Sequence, residues 1–503
     1  MSITERGWLL GLFVLISAVR LFHLDQPIVE NYVGRQIPTA MVARNLERGS
    51  GFLFPQLDTA PFPSLFLVEP PIYQQLVVWL ARPLSLPLEP SGRAISALAT
   101  GLAGVSLYVL VNSRSSRLQA VLAAIIFGCM PVSLRYGRAF QPDALAMGLV
   151  LFGLALLDRW RIRGHSLAAD IGWLVLAIGL AVKVLWLFAL LPAGWLIWQR
   201  LRDEKNFLIP GRFLVLGLIL GSLLVPAGLW YLHAARCISL GAQASVVNGS
   251  VWLHALDPRQ WLGWETARWV FRFGLLRAYS TLAVALAAWG LWQGKNVTFW
   301  KLWMAGGAAT LLLVAGKLHH EYYWLLLAPA VAALAAEGLF CLRRLRPTGG
   351  GTLIAAVLFL LLLSSCIYHA RGTWSTPPEW LQFRERGQQL ARAIPQDALV
   401  IGREAVLYAA DRRGMRMERD PEAIRRARGE WGPTAFQPEA TPSGLVSWYH
   451  GQGARYYAEM ADPRGVTPEF PGDPRSVERV IYQGPGLLLL QLTEPDQYAD
   501  NEG

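Results

Sequence analysis

The stretch IGWLVLAIGLAVKVLWLFALLPAGWLIW, residues 171–198, holds 28 residues and one charged side chain, Lys183. A transmembrane helix needs about 20 apolar residues, so a single crossing would fit with the lysine at mid-length. Two short passes turning near Lys183 would instead return the chain to the side it left. The flanks decide between them. "RWRIRG" (159–164) precedes the stretch and "QRLRDEK" (199–205) follows it. Lys and Arg concentrate on the cytoplasmic side of membrane helices, and a single crossing would strand one cluster outside. The stretch therefore reads as a hairpin with Lys183 at its outer tip.

The same rule extends along the chain. Apolar runs stand near 7–24, 92–112, 118–134, 142–157, 171–182, 184–198, 213–233, 278–294, 300–316, 322–341 and 351–368. Arg114 and Arg117, Lys295 and Lys301, and "RRLR" (343–346) join the two clusters above on the cytoplasmic side if "PPIYQQLVVWLARPLSLPL" (70–88) lies along the outer surface. Its prolines and its length suit an interfacial helix. The N-terminus is then inside, and about eleven passes put the C-terminus outside.

Composition agrees with a polytopic α-helical membrane protein. The 503 residues are 53% hydrophobic, with 21 Trp and 15 Tyr, rings that favour the headgroup level. The net charge of +11 sits in short clusters between apolar runs, which topology explains without nucleic acid. Cys129, Cys237, Cys341 and Cys366 show neither a disulfide framework nor metal spacing. The first apolar run lacks a small-residue cleavage site and reads as a retained span. No internal repeat is visible.

Two large segments lie outside the membrane. In residues 25–91, Pro38 can start a helix, and Ala40, Met41, Ala43 and Leu46 give it an apolar side. Residues 370–503 are richer in charge, Pro and Gly. There "EWLQFRERGQQLARAI" reads as an amphipathic helix, "ALVIG" and "GLLLLQL" as buried strands, and "PSGLVSWYHGQGARYYAEM" as helix, turn and strand. The division is thus a membrane domain, 1–369, and a soluble C-terminal α/β domain, 370–503.

This orientation gathers ionisable groups at the outer boundary: Glu30, Asp58, Glu69, Arg138, Asp143, Lys183 and "KLHHEYYW" (317–324). Intramembrane charge is expensive and marks function. Each also has a structural alternative. Arg135 and Arg138 can snorkel to lipid phosphates. Asp143 can cap its own helix after Pro142. Lys183 suits an exposed turn or a phosphate ligand. His319 and His320, about 100° apart on a helix, make a poor metal pair. "DPRQWLGWETARWVFRFG" (257–274) reads as an interfacial anchor.

In order, "NYVGRQIPTAMVARN", "VEPPIYQQLVVWLARPL", "GRAISAL", "RAFQPDALAMGLVLFGLALL", "KVLWLFALLPAGWLI" and "KLHHEYYWLLLAPAVAAL" resemble the membrane-embedded GT-C glycosyltransferases. The resemblance spans roughly residues 7–345 and is greatest to the branch of protein O-mannosyltransferases and bacterial lipid A aminoarabinose transferases. It implies a polyprenyl-phosphate-linked sugar donor, a hydroxyl acceptor on lipid, glycan or protein, and a site at the outer face of a bacterial cytoplasmic membrane. It calls for no metal and no other cofactor. A polyprenyl phosphate leaves without a general acid, so the enzyme needs one carboxylate base and cations on the phosphate. One base and in-line displacement imply inversion, unlike the paired carboxylates of a glycosidase.

Carried over to this chain, the family's first-loop base falls nearest Glu30, with Asp58 as rival. Glu69 matches the glutamate of a Glu-Lys-Pro motif whose lysine is here Pro70, so Arg35, Arg138, Lys183 or Lys317 must supply the phosphate ligand. Asp143 matches a second family aspartate and is expected to orient Arg138, another donor-site cation, or the acceptor. His320, Tyr322 and Tyr323 match a segment lining the donor pocket. Acceptor binding is an expectation for the C-terminal domain. A membrane transporter, or a polysaccharide ligase or polymerase using a lipid carrier, remains the alternative. The transporter's expected inverted repeat is absent, and these charges lie at one boundary rather than the midplane.

Overall fold

The computed structural model describes residues 3–28, 33–164, 166–203, 209–240, 258–345, 349–429, 431, 440–461 and 467–494. The chain divides into two compact units. One comprises 1–24, 90–233 and 251–375, and the other comprises 25–89, 234–250 and 376–503. The described residues are mostly helical with one small sheet.

In the first unit every apolar run read from the sequence lies on helix. By length and composition, Leu88–Asn112, Val184–Asp203 and the helix beginning at Gly349 could each cross a membrane, and two bent pairs raise the number to five. Arg117–Cys129 and Ser166–Val182 are apolar but shorter. Several runs are broken, which the apolar pattern alone does not show. The 118–134 run splits into Arg117–Cys129 and Pro131–Tyr136, where Pro131 starts the second helix because its missing N–H is needed by no earlier carbonyl. The 213–233 run bends by 50° before Val225. The 278–294 run becomes Thr281–Gln293, preceded by a π-helical stretch, Val270–Tyr279, from which it turns by 95°.

The decisive stretch is a hairpin. Helix Ser166–Val182 stops where Lys183 takes an extended conformation (φ −154°, ψ 109°), and a 3₁₀ turn, Val184–Ala189, leads into helix Leu190–Asp203. The return is measurable at the far end, where the Arg200 guanidinium lies 5.9 Å from the Trp160 ring. The two basic clusters therefore share one end. Other basic ends are tied off by buried acids. Asp158 takes both Nη atoms of Arg114 at 3.0 Å, Arg161 Nε at 2.9 Å and the Ser113 hydroxyl at 2.5 Å. Glu337 accepts from Gln119 and Arg344.

Helices Thr281–Gln293 and Ala328–Leu345 cross at two glycines. A Cβ on Gly290 would stand 2.0 Å from the Leu334 carbonyl oxygen, and one on Gly338 would stand 2.1 Å from that of Leu286. Only bare backbone fits this crossing.

The second unit joins the first loop to the C-terminal residues. Its sheet runs β2-β1-β3-β5-β4, with β1 Val400–Gly402, β2 Gly414–Arg416, β3 Tyr456–Met460, β4 Val477–Gly484 and β5 Leu487–Leu492. β1 is parallel to β2 and β3, whereas β5 is antiparallel to β3 and β4. Ile401, Met415, Tyr457, Leu488 and Leu490 form its core with Leu445 and Tyr449 of helix Pro442–Gly451, and Ala60 of the first loop joins them. The amphipathic helix Pro378–Ala393, β1, β3 and β5 stand where the sequence puts them.

Helix Val33–Glu47 does bury Ala40, Met41, Ala43 and Leu46, but it starts five residues before Pro38, which lies inside it. Helix Ile72–Leu84 is amphipathic, burying Tyr73, Val77 and Ala81 and exposing Trp79. The first loop, read from the sequence with the membrane helices, thus folds in one unit with residues 376–503.

Candidate functional site

In the first unit, Asp143 is the first residue of helix Asp143–Arg163, with Pro142 at the N-cap. Asp143 Oδ1 meets Lys183 Nζ at 2.5 Å, and both side chains are over 90% buried. The pairing follows from local structure: Pro142 sets the helix start, and the break at Lys183 lets the lysine side chain leave the hairpin tip. Asp143 Oδ2 is also buried and has no hydrogen-bond donor among the described residues. Removing either partner would leave the other as an uncompensated buried charge.

An aromatic wall stands beside the pair. Lys183 Nζ lies 4.9 Å from the centroid of the Tyr322 ring, within cation–π range. Tyr322 packs edge-on to Tyr136 with centroids 6.1 Å apart, stacks with His320 at 5.6 Å and touches Tyr323 at 4.4 Å. His319 lies 4.9 Å from Trp269. Burial pushes His320 down to about 3, and the nearby charges of His319, Lys317 and Lys183 push the same way. The ring is therefore neutral at physiological pH and can both donate and accept a hydrogen bond.

Sequence reasoning missed Glu321. This fully buried carboxylate holds Arg135 Nη1 at 2.7 Å and Arg277 Nε at 2.5 Å, and Arg135 also donates to the His369 carbonyl at 2.6 Å. Arg135 is thus fixed within the protein and does not snorkel. Glu321 lay in a motif already singled out, whereas Arg277 lies just beyond the 257–274 stretch read as an interfacial anchor.

Arg138 is fully buried and donates to the carbonyls of His23 (2.5 Å) and Thr373 (3.3 Å). Asp143 pairs with Lys183 and not with Arg138. The structure therefore brings Asp143, Lys183, His320, Tyr322 and Tyr323 together, with Lys317 close enough to act on His320.

In the second unit, Arg35 pairs with buried Glu69, and its guanidinium lies 5.1 Å from the Phe66 ring centroid. Asp58 is buried, pairing with Arg44 Nη2 at 2.5 Å and accepting from Asn45 at 3.1 Å. Glu30 lies outside the described residues. Among the described residues, no three His, Cys, Asp or Glu side chains cluster so as to hold a metal ion.

No protein-family model matches the chain, and no curated protein does at a significant level. Solved structures do match. ArnT from Cupriavidus metallidurans bound to undecaprenyl phosphate is 14% identical with a TM-score of 0.55, over 98% of this chain and 99% of that one. The archaeal oligosaccharyltransferase AglB from Archaeoglobus fulgidus, in complex with an inhibitory peptide and a dolichol-phosphate, is 12% identical with a TM-score of 0.54, over 91% and 70%. The arabinofuranosyltransferase AftD from Mycobacteria is 15% identical with a TM-score of 0.55, over 99% of this chain and 40% of that one. All three are GT-C glycosyltransferases, and this chain has their fold.

Proposed function

We propose that the protein is a glycosyltransferase of the outer face of a bacterial cytoplasmic membrane, moving a sugar from a polyprenyl-phosphate carrier to a hydroxyl of a lipid, glycan or protein with inversion. One observation carries it: the buried Asp143–Lys183 pair at a helix break, in a chain with the fold of three GT-C transferases. Lys183, with Lys317 beside His320, supplies positive charge for a phosphate whose negative charge grows as the sugar departs. Asp143 holds Lys183 in place and has one oxygen left to accept from a sugar hydroxyl. Neutral His320 and the Tyr322 and Tyr323 rings suit a sugar face and its hydroxyls. Glu30 is the base that takes the acceptor proton. No metal is needed, because polyprenyl phosphate is a competent leaving group once lysines balance its charge. The topology in this reading has about eleven crossings with residues 370–503 outside.

The test uses the purified protein in lipid nanodiscs with synthetic polyprenyl-phosphate sugars. Lys183→Met should weaken donor binding at least about tenfold, the loss of a charge-assisted contact. Glu30→Gln should keep donor binding and lose turnover. If both variants transfer sugar at the parental rate, the proposed site is wrong.

A further inference from the structure

Arg44 lies in the last turn of helix Val33–Glu47. Its Nη2 meets Asp58 at 2.5 Å, while its Nη1 meets Asp411 at 2.8 Å and donates to the Tyr408 carbonyl at 2.9 Å. Its guanidinium also lies 4.6 Å from the Tyr408 ring centroid. One turn along, Arg48 Nη2 reaches both Asp411 oxygens at 2.7 Å. Asp411 sits in the left-handed region (φ 51°), a conformation uncommon for a residue with a Cβ and kept where surrounding contacts hold it. On the other side of Arg44, the Asp58 backbone accepts from Gly414 N at 2.9 Å, and Ala60 N donates to the Gly414 carbonyl at 2.7 Å. This adds a parallel bridge, Thr59 to Gly414, beyond β2. The loop ends are tied too: Arg384 donates to the Asp25 carbonyl at 2.7 Å, and Tyr408 donates to Glu89 at 3.2 Å.

These contacts place Asp58 among structural partners. Both its oxygens are engaged, by Arg44 and Asn45, and its backbone continues the sheet. The planar guanidinium serves Asp58 from one Nη and Asp411 and the Tyr408 carbonyl from the other, a fixed spread that the compact ammonium of a lysine does not reproduce.

We propose that Arg44 is the positioning residue of the first loop, locking helix Val33–Glu47 to the Tyr408–Asp411 turn, so that the C-terminal fold is the frame that holds the Arg35–Glu69 pair. Asp58 is part of this lock and is not the base. The catalytic half of the inference rests on the glycosyltransferase reading, but the lock itself does not.

The test measures hydrogen exchange and kinetics on the full-length protein in nanodiscs. Arg44→Met should raise exchange in residues 33–47 at least about tenfold while residues 487–492 keep their protection. It should lower kcat by roughly ten- to a hundredfold, the scale of an ångström-sized misplacement, with donor KM nearly unchanged. Arg44→Lys should fall between parent and Arg44→Met. Asp58→Asn should loosen the same helix, which loss of a mere base would not do. Unchanged exchange in Arg44→Met overturns the lock, and raised exchange with unchanged kcat overturns the positioning role. If the parent protein transfers no lipid-linked sugar, the functional reading falls and exchange alone judges the lock. Should Arg44→Met fail to insert, Asp411→Asn reports in its place, with the same pattern at smaller amplitude.

Discussion

Asp143 and Lys183 show how a buried charge is made tolerable by its opposite. Neither residue has another ionic partner among the described residues, so each depends on the other. Asp143→Asn or Lys183→Met alone should lower stability by about 3 kcal/mol or more, because a bare charge is left in an apolar setting. The double variant Asp143→Asn/Lys183→Met should recover most of that loss. Thermal unfolding in detergent measures both, and a double variant no better than the singles would mean the pair is not mutually supporting. At this scale the sequence is a partial guide. A lysine between "GLAV" and "VLWLF" announces itself, and Asp143 after Pro142 does too, but their pairing across 40 residues depends on the hairpin. Arg138 offers the converse lesson: an arginine in a motif became a tie between backbone carbonyls.

Elements were more legible than pairings. The sidedness of arginines implied a hairpin over 171–198, and the structure turns at Lys183. Apolar patterns revealed β1, β3, β5 and helices Pro378–Ala393 and Pro442–Gly451, but not the short helices Glu404–Ala409 and Pro421–Gly429. The three-residue strand β2 is too short to carry a period, and β4, largely exposed on both faces, has no apolar alternation to read. The breaks at Met130, Val225 and Ser280 were missed because hydropathy does not register a bend. The Gly290–Gly338 crossing makes the next expectation. Gly290→Ala must push a Cβ into the Leu334 carbonyl, so the two helices separate and stability falls by about 1–3 kcal/mol. Gly228→Ala, whose Cβ meets nothing within 4 Å, is the control and should be neutral. Equal melting temperatures for the two would contradict the close crossing.

Across the whole molecule, each unit carries a group whose protonation opposes the fold. His320 is held down to about 3 from 6.5, first by burial and then by neighbouring positive charge. Burial pushes the Asp411 carboxyl up, but Arg44, Arg48 and Arg412 outweigh it and leave it below its ordinary 3.8. Both folded values lie below the unfolded ones, so stability is complete above the unfolded values and drains as pH falls. The His320 contribution declines below about 6.5, and that of Asp411 only below 3.8. The melting temperature should therefore drop between pH 7 and pH 5, and His320→Gln should flatten that slope while leaving the more acidic fall in place. An unchanged slope in His320→Gln would show that the ring is not held neutral.

The break at Lys183 also bears on biosynthesis. A ribosome delivers the carboxylate first, forty residues ahead of the amine it will neutralise. When the tip of the hairpin is threaded, Lys183 meets an anion already in place at the start of helix Asp143–Arg163, which precedes the hairpin. Reversing the two identities, lysine early and aspartate late, would preserve the finished contact while changing which lone charge the insertion machinery must tolerate.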